Sequence, residues 1–236
     1  MMTAAQPDGL DCEGVRSLEV RWILPGQLAG AVTGWFGRFP VETTALEDAY
    51  LLEPYLPGLA VKVRGGRALE VKLYRGSPGL LELAGRARGH LESWQKWSFP
   101  HGPSSTGSGD PAGWRLVSKR RRISWFAQAT GMGVPRQGEQ PGCAVELTAV
   151  VVGGEPWWTL GFEATGPADA LRRELEAAAA LVFADALPGG LELGMDDSQS
   201  YAQWLYRQPG TRVTPKPQGD RRTPQLERRC LGIPGR

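Results

Sequence analysis

Six stretches of this chain alternate charged and apolar residues with a period of two. Glu19 and Arg21 are in phase, with Val20 and Trp22 out of phase with them. Lys62 and Arg64 alternate with Val61 and Val63, and Glu70 and Lys72 with Val71 and Leu73. Lys119 and Arg121 are spaced the same way, Glu146 alternates with Val145 and Leu147, and Glu163 adjoins Phe162. Residues i and i+2 of a strand share a face, so each stretch reads as a strand with one charged and one apolar side. For a single strand the ordinary explanation is a solvated outer face. Across six strands there is an alternative, a closed barrel with the charged face inside. Its tunnel would be rich in Arg and Lys, which bind phosphate oxygens, with a few carboxylates able to hold a divalent metal. Alternation alone does not choose between the two.

Runs of β character separated by Gly and Pro predict about eight strands. They are Ser17–Leu24, Ala45–Leu52, Leu59–Arg64, Ala68–Tyr74, Ser93–Phe99, Arg115–Phe126, Cys143–Val152 and Trp157–Ala164. Gly65-Gly66 and Gly153-Gly154 are links short enough for hairpins, where glycine supplies the positive φ of the turn. The sheet should be mostly antiparallel, and closing it would remove exposed edges. Two helices are predicted at Pro25–Phe39 and Pro167–Leu187, the second from Leu171, Leu175, Ala178, Ala179, Val182 and Phe183 at helical spacing. A short helix at Ser198–Tyr206 carries Trp204 and Leu205, expected to dock on the body. Residues 101–113 and 131–142 read as loops.

Composition bounds the function. The chain has 236 residues with 41% hydrophobic, which is enough for a packed core. No apolar run is long enough to span a membrane, and Met1 to Gly14 has no secretory h-region. A cytoplasmic location is therefore expected, with no membrane partner. Cys12, Cys143 and Cys230 form neither a disulfide framework nor a zinc pair, and two histidines offer little for a metal centre. From Arg207 to Arg236 eight basic residues stand against two acids, among five prolines. That segment reads as a basic flexible tail. The organisation expected is an N-terminal extension (1–14), a barrel domain (15–187), a docked short helix (188–206) and the tail (207–236).

Taken in order, SLEVRW, Asp48–Tyr50, VKVRGGRALEVKLYRG, SKRRR and GFEA resemble the CYTH superfamily of triphosphate tunnel metalloenzymes. The resemblance covers about residues 15–187. It implies an α+β fold: a closed antiparallel eight-stranded β-barrel, its polar interior forming the tunnel, with flanking helices. It also implies a phosphorylated ligand (a triphosphate-like compound or a nucleotide), clamped by Arg21, Lys62, Arg64, Lys72, Lys119 and Arg121. Glu19, Glu146 and Glu163 would be the ligands of one Mg²⁺ or Mn²⁺. Two departures bear on mechanism. Where the family has paired acids on its first and last strands, this chain has Ser17 before Glu19 and Gly161 before Glu163. Thr148 also stands at a late-strand acid position, two residues from Glu146. Anion binding should survive such losses better than metal-dependent triphosphate hydrolysis. The alternative is a non-catalytic interaction or regulatory protein on a degenerate barrel of this kind.

Other features have plainer readings. Most of the nine tryptophans fall opposite the charged face and are expected to pack helices on the barrel exterior. Lys96 is either a further tunnel cation or solvent-facing. Arg120 and Arg122 point away from Lys119 and Arg121, which splits the only basic cluster of the body. Nucleic acid is not the expected partner, since the tail alone would serve it. Cys143 has no base near it in sequence, and His90 and His101 read as loop residues.

Overall fold

The computed structural model describes residues 14–52, 58–101, 113–127, 131–133 and 141–208. The basic segment beyond 208 and the N-terminal extension up to 13 lie outside the described residues, as do Cys12 and Cys230.

Among the described residues nine strands form one sheet: β1 Val15–Pro25, β2 Glu42–Leu51, β3 Leu59–Arg64, β4 Ala68–Leu83, β5 Ala87–Pro100, β6 Trp114–Ala127, β7 Gly131–Gly133, β8 Gly142–Val152 and β9 Glu155–Thr165. Their order is β2-β3-β4-β5-β1-β9-β8-β6, and β2 pairs with β6 to close the ring, with short β7 appended to β6. All pairings are antiparallel. This is the closed eight-stranded barrel that the family resemblance implied, and it decides between the two readings that the alternation left open. At both predicted hairpins consecutive glycines have positive φ, 52° and 68° at Gly65 and Gly66, and 59° and 86° at Gly153 and Gly154. A side chain would strain either turn.

Among the described residues the α-helices are α1 Gly30–Phe36, α2 Leu171–Val182 and α3 Tyr201–Arg207. The first two are shorter than their sequence patterns predicted. Pro167–Ala170 forms a turn ahead of α2, with Ala170 N–H donating to Pro167 O. The main core lies outside the barrel. Leu18, Val20 and Trp22 of β1, Val145 and Leu147 of β8, and Leu160 and Phe162 of β9 pack there beneath Leu171, Leu175, Ala178 and Val182 of α2 and Trp35 and Phe36 of α1. Trp22 and Phe183 meet edge to face, with centroids 6.2 Å apart. Burying the apolar faces against helices leaves the charged faces of the same strands looking inward.

β4 and β5 run well past their predicted ends. Their outer parts continue as one long hairpin, after register shifts between Tyr74 and Gly79. His90 therefore sits inside β5 rather than in a loop, its N–H donating to Ser198 Oγ at 2.8 Å. Past Glu19↔Glu92, β1 and β5 separate. Residues 193–199 fill the gap, with Ile23 N–H donating to Asp197 O (2.9 Å), Gln199 N–H to Arg21 O (3.0 Å) and Arg88 N–H to Leu193 O (2.8 Å).

α3 does not lie on the outside. Ser200 caps it by accepting from Gln203 N–H. Its Trp204 and Leu205 are buried with Ile23, Tyr50, Val117, Val150 and Val152, all inward-facing residues at one end of the barrel. The helix is thus an apolar stopper in one mouth. The tryptophan expectation needs correction as well. Trp22, Trp35 and Trp158 belong to the outer core, but Trp94 and Trp125 line interior cavities, and Trp157 packs on Trp204 at the stopper (5.2 Å between centroids). Their phase with Lys96, Arg121 and Glu163, respectively, already placed them on the charged side.

Candidate functional site: a charged tunnel closed at one end

Register decides which charges meet. Glu19 faces Glu92 on β5 and Glu163 on β9, so three carboxylates form a row across adjacent strands. Lys62 lies opposite Glu70, Asp48 opposite Arg64, Tyr50 opposite Lys62, and Lys72 opposite Lys96. One cavity gathers all nine residues singled out from the sequence: Arg21, Lys62, Arg64, Lys72, Lys119, Arg121, Glu19, Glu146 and Glu163. It also gathers Glu70, together with residues to which no site role had been given, Asp48, Tyr50, Glu92, Trp94 and Tyr201, and it settles Lys96 as a tunnel cation. Seven cations and six carboxylates therefore line the same space.

The charges pair in separate clusters. In the first, Glu146 is held by both arginines. Arg121 Nε donates to its Oε2 at 2.7 Å and Arg121 Nη2 to the same oxygen, while Arg21 Nη1 reaches Oε1 at 3.3 Å. Thr148 Oγ1 donates to Oε1 at 2.8 Å, so neither oxygen is spare. Burial opposes ionisation of Glu146, but Arg121 and Arg21 outweigh it and hold the carboxyl well below its usual range. Thr148, standing where an acid might have been, thus serves Glu146. In the second cluster, Lys72 Nζ lies 2.7 Å from Glu19 Oε1 and 3.6 Å from Glu163 Oε1, and Lys96 Nζ lies 3.2 Å from that same Glu163 oxygen. Ser17 Oγ donates to Glu19 Oε1 at 2.6 Å.

The third cluster, like the first, has more cations than carboxylates. Asp48 Oδ2 is shared by Lys119 Nζ at 2.8 Å and Lys62 Nζ at 3.7 Å. Glu70 is shared by Lys62 (3.0 Å) and Arg64 (2.8 Å). Three cations thus divide two carboxylates. Burial, with Lys62 nearby, pulls the Lys119 ammonium down to about 7 even against Asp48. Burial also lowers Lys62, despite Glu70 and Asp48. In contrast, Glu70 is held down at about 2, burial being outweighed by Lys62 and Arg64.

Tyr50 and Tyr201 floor this end. Lys119 Nζ donates to Tyr50 Oη at 2.7 Å and stands 4.1 Å from the centre of the Tyr201 ring. Arg21 lies over the other part of the floor, its Cζ 4.7 Å from the same ring centre. Glu92 is the exception among the acids. It accepts from Trp94 Nε1 at 3.0 Å, and burial raises it above the usual carboxylate range. Among the described residues Glu92 has no salt bridge, whereas each of the other five tunnel carboxylates has at least one. Tyr201 and Glu92 escaped the sequence reading because neither has a charged neighbour at i±2. Asp48 was quoted in the family motif without a role, and its position opposite Arg64 is a matter of register.

The three carboxylates named as metal ligands share the cavity, but the set does not fit a resident divalent ion. Mg²⁺ and Mn²⁺ need several oxygens around one point. Here Glu146 is enclosed by two guanidiniums, and an ammonium lies between Glu19 and Glu163. Among the described residues no group of three His, Cys, Asp or Glu side chains converges on such a point. Cys143 is buried in the outer core, burial pushing its thiol up, and takes no part in the tunnel.

The molecule is thus a closed antiparallel barrel whose charged interior forms a one-ended tunnel, the class of architecture implied by the CYTH resemblance. No family model matches the sequence, and no curated protein matches it. Among solved structures the chain is similar to a conserved hypothetical protein of Pyrococcus furiosus, at 14% identity and TM-score 0.41, covering 78% of this chain and 98% of that one. It is also similar to the mimivirus capping enzyme triphosphatase, at 11% identity and TM-score 0.38, covering 72% and 90%. A third is the S. pombe RNA triphosphatase Pct1, solved with the Spt5 CTD, at 10% identity and TM-score 0.37, covering 72% and 79%. Among the described residues no helix is long and apolar enough to cross a membrane.

Proposed function

We propose that this protein binds a compact phosphorylated anion in the tunnel, and that it does so as a binding protein rather than a metal-dependent hydrolase. The observation that carries this is the cluster of Lys62, Arg64 and Lys119 dividing Asp48 and Glu70 between them. A buried cation without a full counter-charge is costly, and an incoming oxyanion repays that cost. Lys62 and Lys119 are the groups that burial drives towards neutrality, so both gain most from such a ligand. Phosphate oxygens suit the donors, because Arg64 offers a planar fork and the lysines offer point charges. The closed floor of Tyr50 and Tyr201 favours a ligand that enters from one side.

Calorimetric titration with inorganic triphosphate, inorganic phosphate and ATP tests the proposal. Saturable binding of at least one of them, lost in Arg64→Glu, is the expected result. Heat indistinguishable from dilution for all three would overturn the proposal and favour a barrel that works only through its outer surface.

A further inference from the structure

We propose that the tunnel takes its anion without any divalent metal, the ammonium of Lys72 and the guanidinium of Arg21 standing where an ion would have to be gathered; this inference rests on the polyanion reading above. The best-placed carboxylates for an ion are Glu19 and Glu163, direct neighbours across β1 and β9. Lys72 Nζ already sits between them, at 2.7 and 3.6 Å from one oxygen of each. A third oxygen could come from the residue in phase before either of them. On β1 that residue is Ser17, whose hydroxyl donates to Glu19 and brings no negative charge of its own.

On β9 it is Gly161, and the space over it is filled. A Cβ at position 161 would lie 2.6 Å from Arg21 Cζ and 2.8 Å from both of its terminal nitrogens. Arg21 is not a loose side chain that could swing aside. Its Nη1 donates to Thr159 Oγ1 at 3.0 Å and contacts Glu146 at 3.3 Å, and it stacks over Tyr201. The glycine is the residue that lets the guanidinium lie flat against β9. Both places at which oxygens would have to converge thus hold a positive charge fixed by the protein. Such a charge repels Mg²⁺ and attracts phosphate oxygens, so the same side chains that exclude the metal replace it as counter-charge.

The experiment uses the full chain. Inorganic triphosphate is titrated calorimetrically in chelator and again in excess Mg²⁺, and Mn²⁺ is added to the protein alone while its free-ion EPR signal is followed. Binding in chelator is expected, with affinity equal or weaker in Mg²⁺, which complexes triphosphate in solution; wild-type protein should leave the Mn²⁺ signal undiminished. Lys72→Met opens the Glu19–Glu163 pair, and should weaken triphosphate binding by about tenfold, the equivalent of one charge-assisted contact, while reducing the free Mn²⁺ signal. Triphosphate binding that appears only with metal, or Mn²⁺ uptake by the wild type, would overturn the inference and leave the polyanion reading standing. A folded Lys72→Met protein with both readouts at wild-type values would overturn it too. If Lys72→Met does not fold, Lys96→Met probes the same carboxylate, and the wild-type titrations decide by themselves. No triphosphate binding under any condition would remove the polyanion reading and this inference together.

Discussion

On one side of the tunnel Arg21 and Arg121 close on Glu146, and Lys72 and Lys96 close on Glu19 and Glu163. On the other, Lys62, Arg64 and Lys119 divide Asp48 and Glu70. Both sides are built from the same residue types on the same kind of strand. In the first, four cations share three carboxylates, and against burial Glu146 raises Arg21 while Glu163 and Glu19 raise Lys72, so these cations stay charged. In the second, three cations share two carboxylates, and burial outweighs those carboxylates at Lys62 and Lys119, which are both lowered. The side whose cations keep their charge holds the barrel together, and the side whose lysines are depressed is the one proposed to take a ligand. A charged tunnel is thus not uniformly an anion site.

Removing a partner on the first side should produce the largest effect. Glu146→Gln leaves two buried guanidiniums without their carboxylate and should cost about 3–5 kcal/mol of stability. For a chain of this size that lowers the melting temperature by roughly 10 °C in a calorimetric scan. A loss as small as that of a surface mutation would show that the arginines find other partners.

Charge reversal on the second side should act mainly on binding. Arg64 is the more exposed end of its pair with Glu70, so Arg64→Glu should cost less stability than Glu146→Gln while weakening triphosphate affinity by about 100-fold, two charge-assisted contacts' worth. Calorimetry and thermal denaturation of the same sample separate the two readouts. If stability falls as far as in Glu146→Gln, the two sides do not differ as described.

Lys119 gives the comparison a pH dependence. Its folded pKa is lowered to about 7, so above that pH the folded protein loses a tunnel cation that the unfolded chain would retain up to the ordinary lysine range. The unfolded state then binds more protons, and this group's contribution to stability rises with pH between those limits. Anion affinity moves the other way. Measured against Lys119→Arg, which keeps its charge and cancels the ligand's own titration, wild-type affinity should fall as pH rises through about 7. A constant ratio of the two affinities across that range would show that Lys119 stays charged.

The smallest effect belongs to the acid without a salt bridge. Burial raises Glu92, so its charge is a burden at neutral pH. Glu92→Gln keeps an acceptor for Trp94 and should leave stability within about 1 kcal/mol of wild type, on the favourable side. Urea denaturation resolves that difference, and a marked loss would reveal a partner for Glu92 among residues the structure does not describe.

Much of this was legible from alternation. Because the side-chain period of a strand is two, Glu19 with Arg21, Lys62 with Arg64, Glu70 with Lys72 and Lys119 with Arg121 had to share faces, and the glycine pairs at 65–66 and 153–154 had to turn. What stayed hidden was which face was inside, because an outer wall and a tunnel wall have the same local pattern. Closure by β2 on β6 and the packing of α1 and α2 against the apolar faces decided that. Trp94 and Trp125 stand inside with Lys96 and Arg121, and their phase along the strand is a better guide to that than their bulk and apolarity.

Local sequence by itself settled where most strands lie, their two-faced character and most of the tunnel's charges, since these follow from covalent spacing along one segment. Tertiary structure alone decided the partners: Glu146 between two arginines, Lys72 between Glu19 and Glu163, Arg21 over Gly161, and α3 seated in the barrel mouth with Tyr201 as a floor. Those depend on register and closure, which bring together residues more than a hundred positions apart, and Coulomb energy depends on distance in space rather than along the chain.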